Sequence, residues 1–104
     1  MNFIRLKYKP LSVNECWQGK RFKTDKYKKY ERDLLFMLPN LVVQSGKLKL
    51  DIQLGVSSKS ADIDNPVKPI LDILQKKYGF NDKDIYELRI IKEDVLKGNE
   101  FICI

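Results

Sequence analysis

Histidine is absent from the chain. That excludes a Ser-His-Asp or Cys-His nucleophile, a histidine-metal nuclease centre and histidine-ligated zinc. Any catalysis has to rest on carboxylates, lysines or hydroxyls. Cysteine is scarce: Cys16 and Cys103 make no disulfide framework and match no zinc spacing. A reducing cytoplasm is the compartment expected for such a chain. Long apolar runs are also missing. The longest, Leu34 to Leu38, has five residues, against about 20 for a spanning helix, so no membrane partner is expected. The first residues, MNFIRLKYKP, hold no apolar stretch of the kind a signal peptide carries.

What is present suits one folded domain. The 104 residues are 43% hydrophobic and 33% charged, apolar enough for a packed core and too short for two. The net charge is +6, and it is unevenly placed. Residues 1–49 hold 12 basic and 4 acidic residues, a balance of +8. Residues 50–104 hold 8 basic and 10 acidic ones, a balance of −2. One half is thus equipped to hold a polyanion while the other presents carboxylates.

Periodicity places the elements. Residues 2–8 alternate, with Ile4, Leu6 and Tyr8 on one face, and predict a strand that Pro10 ends. Residues 11–23 have no clean period and read as a loop. Thr24 or Asp25 is the N-cap of a first helix, whose stripe is Tyr27, Tyr30, Leu34 and Leu38. Residues 47–54 alternate strictly and predict a second strand, followed by Gly55 and a serine cluster. Val67, Ile70, Leu71, Leu74 and Tyr78 line one face of a helix over 66–78, with Asn65 as N-cap, Pro66 at the first position and Gly79 as the stop. Residues 85–92 and 100–104 predict two more strands. The expected fold is a single α+β domain over 1–104, a mixed sheet with two helices in the order β-α-β-α-β-β.

The segment Ala61-Asp62-Ile63-Asp64-Asn65 precedes the second helix. If extended, it points Asp62 and Asp64 the same way, about 7 Å apart at Cα, and turns Ala61 and Ile63 to the core. Two carboxylates so placed suit Mg2+, which takes oxygen ligands and keeps waters for the rest. A third could come from the loop 81–84, through Asp82 or Asp84. The competing reading is ordinary caps and turns. Lys68 points from the same end of the helix.

Asp62-x-Asp64-Asn65-x-x-Lys68, then Leu71-Asp72-x-Leu74, then Asn81-Asp82-x-Asp84-Ile85, resembles the RusA family of Holliday-junction resolvases. The N-terminal half resembles it too, in Pro10-Leu11-Ser12-Val13-Asn14, Trp17 and Arg21-Phe22-Lys23-Thr24. The likeness covers nearly the whole chain. Two departures stand out: Asn81 replaces the usual first aspartate of a pair, and Asp84 replaces a glutamine.

The resemblance implies a RusA-like fold and a dimeric, Mg2+-dependent endonuclease, with Mn2+ as the alternative ion and no organic cofactor, that resolves branched DNA by hydrolysis in recombination and repair. It assigns Asp62, Asp64 and Asp82 as metal ligands, Asp82 in preference to Asp84, and Lys68 as the catalytic cation. DNA contacts are expected at Asn14, Trp17, Lys20, Arg21, Lys23, Thr24 and Lys28, within a stretch whose other positive charges are Lys26, Lys29 and Arg32. The alternatives are a flap or fork nuclease, or a DNA-binding module of the same fold with weak or lost activity. Homodimerisation is expected from the two-fold symmetry of a four-way junction, with residues 101–104 assigned either to the core or to the dimer contact.

Overall fold

Capping and periodicity account for both helices. In the computed structural model, which describes residues 4–19 and 22–104, the elements run β1 (Arg5–Leu6), β2 (Trp17–Gln18), β3 (Phe22–Lys23), α1 (Asp25–Met37), β4 (Leu48–Val56), α2 (Val67–Tyr78), β5 (Ile85–Asp94) and β6 (Phe101–Cys103). Single 3-10 turns occupy Val13–Glu15 and Asp82–Asp84. Thr24 caps α1 by accepting from the Tyr27 amide. All four stripe residues of α1 are buried. Gly79 ends α2 in the left-handed region, at φ 75°, where its lack of a Cβ removes the steric cost.

The sheet order is β1-β6-β4-β5. β4 and β5 are parallel, and α2 is the crossover that a parallel pair requires. The other two pairings are antiparallel. This is a small α+β domain with two helices and a mixed sheet, as the patterning predicts. On one side of the sheet Ile52, Leu54 and Ile102 are fully buried, with Leu6, against Tyr27, Tyr30 and Leu34 of α1 and Ile70, Ile73 and Leu74 of α2. Lys49, Asp51 and Gln53 alternate with these along β4, on the opposite side.

Several expectations need correction. Residues 11–23 are not plain loop. They hold the turn at Val13–Glu15 and a small hairpin pairing Trp17 with Lys23 and Gln18 with Phe22. Two-residue strands are too short to show a period. The first strand pairs only at Arg5–Leu6, and the expected residues 2 and 3 lie outside those described. β4 runs on through Gly55 to Val56. Gly55 is not a terminator here: any Cβ at this position would collide with the Phe101 ring, and the Arg5 guanidinium lies 4.0 Å from that ring's centroid. Asn65 does not cap α2. Pro66 holds that position without a side-chain bond, because the Asn65 amide turns to Asp62 and its carbonyl accepts from the Val13 amide at 2.8 Å. The 61–65 segment bends instead of extending, so Ile63 faces solvent and not the core. Residues 101–103 are core: β6 lies between β1 and β4 with all three side chains buried. Among the described residues no helix is long and apolar enough to cross a membrane.

Candidate functional site

Two stretches that sequence alone leaves far apart meet at the start of α2. The bond from the Val13 amide to the Asn65 carbonyl holds the N-terminal turn against the segment that feeds the helix. The cleft formed there, of about 420 Å³, is lined by Pro10, Ser12 and Asn14 from one stretch and by Asp62, Asn65 and Pro66 from the other. Asp62 is exposed, and one of its oxygens accepts from the Asn65 amide at 3.2 Å. Asp64 is exposed as well, and its carbonyl accepts from the Val67 amide as the helix begins. Lys92, on β5, ties the same segment down by donating to the Ala61 carbonyl at 2.8 Å.

The loop after α2 folds back along the helix. The Gln75 side-chain oxygen accepts from the Asp82 amide at 2.9 Å, which brings the Asp82 carboxylate to 3.9 Å from the Lys68 ammonium. Asp72, one helical turn on from Lys68, takes the same ammonium at 2.7 Å. Lys68 therefore sits between two carboxylates. The bond to Asp72, with the field of both acids, holds its ammonium above the usual lysine range, against the opposing effect of burial. Asp72 and Gln75 were not singled out from sequence as site residues. Their spacing from Lys68, four and seven positions on, is the signal that places them on its helix face. Asp84 is half-buried in the turn Asp82–Asp84.

The three expected metal ligands are thus not gathered. Among the described residues no group of three acidic or cysteine side chains stands close enough to hold an ion. In kind, the residues do fit Mg2+: Asp62, Asp64 and Asp82 are exposed carboxylates, and Mg2+ uses hard oxygens and often only one or two from the protein.

The expected DNA-contact residues divide by how free their side chains are. Lys20 and Arg21 lie outside the described residues. Trp17 is 41% exposed and meets Tyr27 edge-on, with centroids 5.7 Å apart. Trp17, Phe22, Lys23 and Lys28 line a shallow concavity over the hairpin and the start of α1. Phe22, 73% exposed, is an addition that a loop reading of this stretch passes over. Lys28 is exposed. Lys23 is committed inward, to Glu31 at 2.9 Å. The Thr24 hydroxyl is also committed, donating to the Glu15 carbonyl at 2.6 Å while it caps α1. Lys26 pairs with Glu15 at 3.2 Å.

No protein-family model matches the chain, and no curated protein matches it.

Proposed function

We propose that this chain is a RusA-like, Mg2+-dependent structure-selective endodeoxyribonuclease that resolves four-way DNA junctions by phosphodiester hydrolysis. The observation that carries the reading is the shared cleft, in which Ser12 and Asn14 come together with Asp62 and Asn65 across nearly fifty residues of chain. The return of Asp82 to Lys68 from the far end of α2 supports it.

On this reading Asp62, Asp64 and Asp82 hold the cation. A bound Mg2+ would supply Lewis-acid charge at the scissile phosphate. The chain's own residues do the rest. Lys68, kept protonated by Asp72 and Asp82, places positive charge where a phosphate oxygen gains negative charge. Ser12 and Asn14 offer uncharged donors along the cleft wall. Lys28 and the basic first half attract the backbone without reading sequence. Two sites in a homodimer match the two cuts that resolution requires.

The second reading, a DNA-binding module that does not cut, is favoured by two facts: Lys68 is already paired, and among the described residues the three aspartates form no cluster. Incubation with a synthetic four-way junction, a flap and plain duplex, with and without Mg2+, separates the readings. Symmetric nicking of the junction in Mg2+ is expected. Tight junction binding with no cut in Mg2+ or Mn2+ would give the chain to the second reading, and preference for the flap would move the substrate.

A further inference from the structure

The two borders of the sheet are built differently. β1 presents two residues, a length that blunts an edge. β5 presents ten, Ile85–Asp94, hydrogen-bonded on one side only. It contains no proline or glycine, and its register with β4 shifts only at the start, opposite Leu48/Lys49. Along this border Tyr86 and Leu88 are 65% and 44% exposed. A long, regular, partly apolar border is a template for another strand.

The sequence of that strand says which one. We propose that β5 pairs antiparallel with β5 of a second copy, about a two-fold axis through Leu88. In that register Leu88 meets Leu88 and Glu87 meets Arg89 twice over. Directly opposed residues share a face, so unlike charges lie against each other on the polar side and leucine meets leucine on the helix side. Moving the axis to Glu87 or to Arg89 sets like charges against each other. The polar face extends the match. Within one chain Lys49 lies 3.6 Å from Glu87, and Asp51 is the register neighbour of Arg89. Joined, the four central strands carry rows that read Lys49, Glu87, partner Arg89, partner Asp51, alternating in sign. The result is one continuous sheet of eight strands.

This deepens the dimer invoked above, but it is carried by β5 alone, so self-association and cleavage test different things. Sedimentation velocity on the pure chain should show a dimer. Glu87→Arg, which opposes two arginines, should raise the dissociation constant at least about tenfold. Adding Arg89→Glu reverses both charges and should restore association. In Leu88→Cys the two new thiols face each other across the axis, at a Cα separation of about 5 Å that suits a disulfide. Mild oxidation should then give a cross-linked dimer that the parent chain, whose two cysteines are buried, does not give. A monomer at high concentration, which would leave the edge to another protein's strand, overturns the proposal. So does a folded Glu87→Arg chain that associates normally, a folded double variant that stays dissociated, or Leu88→Cys that fails to cross-link. A chain that dimerises in this way and cuts no junction would defeat the nuclease reading and leave this one standing.

Discussion

Two three-charge clusters occupy opposite roles in the molecule. In one, an anion sits between two cations: Glu31 on α1 takes Lys23 of β3 and Lys76 of α2, each at 2.9 Å. In the other, a cation sits between two anions: Lys68 with Asp72 and Asp82. The Glu31 side chain is 15% exposed and that of Lys68 is 59% exposed. The first cluster clamps three elements together around a central charge that water reaches little. The second leaves its central charge open to solvent, within reach of a ligand. Similar ion pairs thus differ in how far their central charge is open to solvent, and on the proposed function only the open one is free to meet a ligand.

The largest effect that would sharpen this contrast is on cleavage. Asp62→Asn should lower junction cutting by roughly a hundredfold or more while junction binding holds or tightens, measured as single-turnover rates beside a binding isotherm. Normal cutting in Mg2+ would break the assignment. Lys68→Met belongs with it: rate should fall by a comparable factor, yet stability should change by under about 0.5 kcal/mol, since the pair is exposed. The structural clamp should answer the other way. Glu31→Gln should cost about 1–2 kcal/mol in urea unfolding, because the amide keeps one acceptor oxygen and no charge for two lysines.

The pH dependence separates the clusters further. Burial pushes the Glu31 carboxyl up, but bonds from Lys76 and Lys23 outweigh it and leave the group below its usual range. A depressed carboxyl stabilises above its unfolded value and loses that contribution as pH falls through the folded one. The stability gap between the parent chain and Glu31→Gln should therefore close below about pH 4. Lys68 has the opposite sign. Its contribution is complete below the ordinary lysine value and fades as pH rises through the raised one. Asp72→Asn removes the main cause of that raising, so the alkaline limb of the cleavage profile should move to lower pH.

The smallest effect concerns salt. Lys28→Ala should reduce the slope of log affinity against log salt by about 1. Lys23→Ala should change it less, because the Lys23 charge is already spent on Glu31. Equal changes would mean that DNA pulls Lys23 off its clamp.

How much of this is legible in the residues depends on range. Thr24, the α1 stripe and Gly79 are local signals, and each does in the structure what its chemistry predicts. The strict alternation from Leu48 marks β4 correctly. Asn65 misleads because a capping residue can also serve a tertiary contact, and the Val13 amide claims its carbonyl. Ile63 misleads because alternation was assumed for a segment that bends. At the site, Asp62, Asp64 and Lys68 are visible as a short motif. That Asp82 returns to Lys68 depends on Gln75 holding the next loop by its amide, and no local pattern encodes that bond.

The position of β6 has a consequence for how the chain reaches this state. The strand latest in sequence fills an interior slot, between β1 and β4. During synthesis every other element emerges before the one that joins the first strand to the rest, so β1 has nothing to pair with until residues 101–103 arrive. Sheet completion is then a late, long-range event, slow by the usual dependence on sequence separation. In the interval, one flank of β4 stays open to the wrong strands.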